Sequence, residues 1–155
     1  MTIHLNLGSN LGDREAILGR AESLLRDALH GRFTCSPPLE TPAWGYASDN
    51  RYLNKGIMIQ TVTSYTPLEV LNIVEGVQKA IDPSPHRDDK GGYVDRKIDI
   101  DIIAIDELTI ETPQLTLPHP RMHQRRFVLE PMKILSPQWR HPLLHLTPEE
   151  MLQLL

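Results

Sequence analysis

The stretch "DRKIDIDIIAID", residues 95–106, places two aspartates, Asp99 and Asp101, inside an isoleucine-rich run. An apolar run of this length predicts a buried strand. Side chains alternate faces along a strand. Lys97, Asp99 and Asp101 therefore share one face, and Ile98, Ile100, Ile102 and Ala104 share the other. The isoleucine face suits packing against helices. The carboxylates stand about 7 Å apart on the far face, at roughly 3.3 Å of rise per residue. Two ionised carboxylates so placed repel one another and lose hydration. Two readings stand. The pair is either solvated and balanced by Lys97, Arg96 or other bases, or it holds a divalent cation. Oxygen ligands favour Mg²⁺, which takes its remaining ligands from water and phosphate. If repulsion dominates, removing one aspartate should stabilise the ligand-free fold.

On either side of this strand the chain reads as alternating elements. "IHLNLGS" (3–9) is a first strand, and Asn10 or Asp13 can cap the helix that follows. Ile17, Ala21, Leu24, Leu25 and Ala28 keep helical spacing, with Gly31 as a stop signal. A short strand begins at Arg32 and gives way to a proline-rich loop, and "RYLNKGIMIQTVTS" (51–64) is a long strand. "TPLE" (66–69) opens a second helix, with Thr66 as cap, Pro67 in the first turn and Glu69 closing a capping box. Pro83 and Pro85 end it. The polar loop up to Arg96 is about 14 residues long, a length that points to function or disorder. After the Asp99 strand come an edge hairpin, a loop, a helix "FVLEPMKIL" (127–135) and a short final helix. The order β-α-β-β-α-β is that of the ferredoxin-like split βαβ motif. The predicted fold is an α+β sandwich with an antiparallel sheet, two helices on one face and extra C-terminal helices. The second sheet face must then be covered or used.

Length and composition narrow the class. A chain of 155 residues is expected to form one domain, 1–155, without staples. A single cysteine, Cys35, excludes an internal disulfide framework. Neither a signal peptide nor a membrane-spanning run is evident. A net charge of −4 argues against a duplex-binding face. The expectation is a cytoplasmic, monomeric protein that acts on small molecules, with neither nucleic acid nor membrane as partner.

Other groups add chemistry. "GSNLGD" lacks the ending of a phosphate-binding P-loop and the third glycine of a dinucleotide fingerprint, so it reads as a structural turn. His119, Arg121, Arg125 and Arg126 form a basic cluster just past a strand, either an anion site or surface charge. His86, Arg87, Lys90 and Arg96 give the long loop a basic character that suits a phosphate lid. Trp44, Tyr46 and Tyr52 lie near Asn54, and flat aromatics with an amide suit a planar heterocycle as well as plain packing. His119 and His123 are separated by a proline, which disfavours a helical metal pair, and His141 and His145 are assigned no role. Together, carboxylates, arginines and an aromatic–amide pocket suggest a nucleotide-dependent phosphoryl or pyrophosphoryl transferase. Other D-x-D enzymes, a nuclease or a glycosyltransferase, and a ligand-sensing regulatory module are the competing classes.

Four motifs in order, "LGSNLGD" (7–13), "ETPAWGY" with "RYLN" (40–46 and 51–54), "RKIDIDI" (96–102) and "LPHPRMHQRRFVLEP" (117–131), resemble the 6-hydroxymethyl-7,8-dihydropterin pyrophosphokinases of folate biosynthesis. The resemblance implies a ferredoxin-like fold and transfer of diphosphate from ATP to the pterin, with AMP as the other product. It implies that Asp99 and Asp101 bind two Mg²⁺ ions and act with Arg96 in catalysis, Asp101 being a candidate proton acceptor. Arg96, His119 and Arg125 would hold phosphates. Thr41, Pro42, Tyr52, Asn54 and Phe127 would form the pterin pocket. Ile102, Thr116, Asn72 and Glu75 would lie near the adenosine. The loop before Arg96 departs from the family pattern. Tyr93 stands where a tryptophan is expected and would cap the pterin, while Arg87 would replace a missing loop arginine.

Overall fold

The computed structural model describes residues 1–84 and 88–155. Its elements are β1 (Thr2–Ser9), α1 (Arg14–Ala28), β2 (Gly31–Cys35), β3 (Leu39–Thr41), β4 (Tyr52–Thr61), α2 (Pro67–Ile81), β5 (Asp99–Ile105), β6 (Ile110–Glu111), β7 (Thr116–Leu117), α3 (Arg126–Leu135) and α4 (Pro148–Gln153). The main sheet runs β2-β4-β1-β5, antiparallel throughout, and β3 extends the β2 edge by pairing with β4. This is the ferredoxin-like α+β arrangement. The hairpin of β6 and β7 stands apart from that sheet rather than on its edge.

Local chemistry sets the elements. Asp13, not Asn10, caps α1 by accepting from the Ala16 N–H. Thr66 and Glu69 form the capping box that starts α2, and Thr147 and Glu150 form another at α4. Gly31 does not stop α1, which ends at an extended Leu29. It opens β2, where a Cβ would sit 2.4 Å from the Gln60 carbonyl oxygen, so only glycine lets the two backbones meet.

Alternation sorts the side chains. Ile3, Leu5, Leu7, Ile57, Ile59, Ile98, Ile100 and Ile102 form the core with the apolar faces of α1 and α2. Strict alternation fails after Ile102. Leu5 pairs with Ile102 and His4 with Ala104, which makes Ile103 an extra residue, a β-bulge. Ile103 therefore turns to the far face, and Ile105 rather than Ala104 joins the helix side. On the far face Ile103 packs with Met122, Val128, Leu129, Met132, Met151 and Leu152. So α3 and α4 cover one end of that face and leave the other end, with the aspartates, open.

The placement of α3 depends on one substitution of partners. Pro131 lies inside α3 and has no N–H for the Phe127 carbonyl four residues back. The buried Asn6 amide of β1 donates to that carbonyl instead, at 3.1 Å. Opposite Asn6 in the ladder, Gly56 lets Pro131 approach, since a Cβ there would lie 2.5 Å from the Pro131 Cβ. Asn6→Leu should cost about 1–3 kcal/mol by orphaning a buried carbonyl. The cost should shrink in a Pro131→Ala background, where an N–H at position 131 can reach that oxygen. Urea unfolding of the four variants reads this coupling.

His4 lies on the same face, 2 % exposed, with its Nε2 2.7 Å from the Ser136 Oγ. Burial lowers its pKa from 6.5 to about 4, against a weaker opposing pull from Asp106. A depressed histidine pKa favours the fold above the unfolded value, and the benefit is lost as pH falls from 6.5 through 4. This group alone should remove about 3 kcal/mol of stability over that range. The pH dependence of unfolding should be correspondingly flatter in His4→Gln than in the wild type.

Candidate active site

The open end of the far face is built from two rungs of the sheet. Gly8 lies between Asn54 and Asp99, and Asn6 lies between Gly56 and Asp101. Asn54 and Asp99 are thus about 10 Å apart, two strand spacings. Gly8 keeps the floor low, because a Cβ there would stand 3.2 Å from a Tyr52 ring carbon and 3.3 Å from the Asn54 amide oxygen. Asn54 is oriented by donating to the Thr41 hydroxyl at 2.7 Å and the Leu39 carbonyl at 3.3 Å.

Two clefts meet at the aspartates. The first is lined by Thr41, Pro42, Trp44, Tyr46, Tyr52, Asn54 and Phe127. The second runs between α2 and the β6–β7 hairpin and is lined by Leu71, Glu75, Gln78, Ile102, Leu115, Thr116 and His119. Tyr93, Arg96, Asp99, Asp101 and Arg125 border both. Every residue expected in the pterin pocket is therefore together in one cleft. The expected nucleotide residues gather in the other, with one correction. Asn72 is exposed and does not line it, because one helical step from Leu71 turns its side chain away. Arg87, with His86, lies outside the described residues.

The aspartates are not bare. Arg96 Nη1 lies 3.0 Å from Asp99 Oδ1, and Arg125 Nη1 lies 3.5 Å from Asp101 Oδ2. Both arginines are buried. Burial works against the Arg96 charge, yet Asp99 beside it holds the guanidinium above its usual range. Arg125 also sits 4.4 Å from the centre of the Trp44 ring and 5.5 Å from that of Phe127. Its Nε is buried with no acceptor among the described residues. A buried guanidinium N–H in that condition favours an incoming anion. His119 is held neutral, its pKa lowered to about 4 by burial and then by the Arg125 charge. Its Nδ1 accepts the Arg121 N–H at 3.1 Å, which leaves the proton on Nε2 as a donor.

Trp44 and Tyr46, part of the aromatic–amide group that the sequence suggests, both line the first cleft. Gln78 and the tertiary role of Asn10 carry no such signal. Gln78 accepts from the Ile100 N–H on the outer edge of β5 at 2.9 Å. Asn10 is a knot rather than a cap, accepting from the Arg96 N–H at 2.8 Å. "LGSNLGD" is therefore architectural in a specific sense: it supplies the low floor and ties down the approach to Arg96.

Residues 4–137 match the family of 7,8-dihydro-6-hydroxymethylpterin-pyrophosphokinase. A 2-amino-4-hydroxy-6-hydroxymethyldihydropteridine pyrophosphokinase of Porphyromonas gingivalis is 35% identical over 141 residues, covering 90% of this chain and 93% of the relative. The Bacillus subtilis protein of that name is 36% identical over 132 residues, covering 83% and 74%. Among solved structures, a Plasmodium falciparum HPPK-DHPS superposes with a TM-score of 0.74 at 13% identity, over 98% of this chain and 42% of that one. At that identity the likeness shows the fold, and this chain spans under half of that longer protein. The family match makes the chain a transferase. The chain belongs to the 7,8-dihydro-6-hydroxymethylpterin-pyrophosphokinase family. Among the described residues no helix is long and apolar enough to cross a membrane.

The arginine partners weigh against the expectation that losing an aspartate relieves strain. Asp99→Ala should lower ligand-free stability by about 1–3 kcal/mol, since it removes the anion facing a buried guanidinium. Asp101→Ala should cost less, its arginine being farther away. Thermal unfolding without metal measures both, and a raised Tm in Asp99→Ala would reinstate repulsion as the dominant effect.

Proposed function

We propose that this chain transfers diphosphate from ATP to 6-hydroxymethyl-7,8-dihydropterin, giving the pterin diphosphate and AMP, as a step of folate biosynthesis. The observation that carries the reading is the meeting of two clefts over Asp99 and Asp101, flanked by Arg96 and Arg125. Family membership supplies the reaction class and ATP as co-substrate. In this reading residues 1–155 form one catalytic domain, monomeric and cytoplasmic, and the net charge of −4 supports a site for small molecules over one for nucleic acid.

The donor set fits magnesium. Asp99 and Asp101 offer hard oxygen ligands from one strand face. Among the described residues no cluster of three or more His, Cys, Asp or Glu side chains is formed that could cage a metal by itself. Water and phosphate oxygens would complete the coordination, as Mg²⁺ prefers. We assign two ions to the aspartate pair; when bound they supply neutralising charge at the phosphates and a lowered pKa at the pterin alcohol.

The side chains divide the remaining work. Arg96, Arg125 and the His119 Nε2–H donate to phosphate oxygens, where charge develops as the β-phosphorus changes partners. The hydroxymethyl oxygen forms the new bond to that phosphorus. The bond from the phosphorus to the oxygen it shares with the α-phosphate breaks, and AMP leaves with that oxygen. The hydroxyl proton passes to Asp101. Asn54 reads the polar edge of the pterin from the floor, with Thr41 and Pro42 beside it. Tyr52, Tyr93 and Phe127 present ring surfaces to the heterocycle. Ile102, Thr116 and Glu75 flank the adenosine.

Chromatography of nucleotides after incubation with ATP, Mg²⁺ and the pterin tests the reading. AMP should appear only when pterin is present. Asp99→Ala and Asp101→Ala should each reduce its rate by about a thousandfold. ADP as product, or AMP formed without pterin, would overturn the assignment.

A further inference from the structure

Asp95 precedes Arg96 and lies outside the set of residues given a role above. Its carboxylate gathers four side-chain donors from two other segments. Oδ1 accepts from the Tyr46 hydroxyl at 2.7 Å, the Ser48 hydroxyl at 2.8 Å and the Asn10 amide at 2.8 Å. Oδ2 accepts from the Asn50 amide at 2.9 Å. Asn10 adds a second tie, for its backbone N–H donates to the Arg96 carbonyl at 3.1 Å while its side-chain oxygen takes the Arg96 N–H. The segment between β3 and β4 is thereby joined to the β1–α1 turn and to the lead into β5.

This segment, 42–51, needs such a fastening. Among the described residues it makes no backbone–backbone hydrogen bond to any other part of the chain. Its attachments run through side chains, and most converge on Asp95 and Asn10. Burial works against the Asp95 charge, but its hydroxyl and amide donors hold the carboxyl below its usual range. Tyr46 is pushed the other way, by burial and by its bonds to Tyr52 and Asp95, so it stays a donor.

The fastened segment carries the wall of the first cleft. The Tyr46 ring stacks on Tyr93 with centroids 6.1 Å apart and planes 20° from parallel. Gly45 turns the chain at φ +84°, close enough that a Cβ would stand 3.2 Å from the Tyr93 ring. Arg121 donates to the Tyr93 hydroxyl at 3.1 Å and lies 5.7 Å from the Trp44 ring centre. Trp44, Tyr46 and Tyr93 all line the cleft.

We infer that Asp95 is a positioning residue for the pterin: it fastens segment 42–51 as a standing wall, so that the cleft is shaped before substrate arrives. The inference rests on the assignment of the first cleft to the pterin. A preformed wall avoids the ordering cost of closing a loose segment on each binding event. The benefit belongs to pterin binding, not to ATP binding at the second cleft.

Exchanging the chemistry at two positions tests the clamp. In Asp95→Asn the amide keeps one oxygen for Tyr46, Ser48 and Asn10 but turns its NH₂ toward the NH₂ of Asn50. Asp95→Asn combined with Asn50→Asp restores a donor–acceptor match. In the ligand-free protein, hydrogen exchange over 43–50 should quicken about tenfold or more in the single variant and return to within about threefold of wild type in the double. In turnover, the single variant should raise KM for the pterin about tenfold, hold KM for ATP within about twofold, and recover in the double variant. Unchanged exchange in the single variant would overturn the clamp. Faster exchange with an unchanged pterin KM, or losses in both KM values and kcat that the second substitution does not recover, would overturn the positioning role. If the single variant does not fold, Tyr46→Phe removes one of the four donors and should give a smaller shift, about threefold, in the same two readouts; no shift in either would overturn the inference. The exchange readout requires no catalysis, so absence of turnover in the wild type would count against the pterin assignment and leave the clamp to be decided separately.

Discussion

Two carboxylates on one face of a strand repel one another, and a fold that keeps them there must supply counter-charge when no cation is bound. Here the counter-charge comes from Arg96 and Arg125, both buried and each facing one aspartate. The same guanidiniums are the donors a phosphate would meet. In the proposed reading the ligand-free site would therefore hold its anion receptors against its cation receptors, and each would be released as the other partner is replaced. Burial gives this exchange its weight, since opposite charges attract more strongly where water is scarce.

Much of the scaffold exists to hold that arrangement at the right place on the sheet. Gly8 and Gly56 lower the far face where ligand and α3 must approach. Asn6 answers the carbonyl that Pro131 leaves open, and so fixes Phe127 over the sheet. The bulge at Ile103 returns an apolar side chain to the far face just beyond Asp101, where α3 and α4 close over it. One strand thereby presents an open end that bears the aspartates and a dry packed end on the same side.

The order of the main strands and helices was legible in the sequence through local signals: alternation in β1, β4 and β5, and capping boxes at α2 and α4; β3, inside the stretch read as a proline-rich loop, was not, because it is defined by its pairing with β4. The aspartate pair was legible for the same reason, as a polar break in an apolar run. What escaped was set by tertiary partners. Asn10 looks like a helix cap in sequence, yet Asp13 takes that role and Asn10 turns to Arg96. Ala104 falls in phase with the isoleucines, yet the bulge displaces it. Asn72 lies one position from a cleft residue, and on a helix that is enough to face elsewhere. Arg96, three residues before Asp99, was legible as a balancing base, whereas Arg125 carried no local signal of pairing with Asp101; together they predict the opposite sign for an aspartate deletion from that of repulsion alone.

Calorimetric titration with α,β-methylene-ATP, with and without Mg²⁺, tests most directly whether the aspartate pair is a cation-dependent phosphate site. Binding should require Mg²⁺ in the wild type and should lose that requirement, together with most of its affinity, when Asp99→Asn and Asp101→Asn are combined. Equal affinity with and without Mg²⁺ in the wild type would contradict the central role given to these carboxylates.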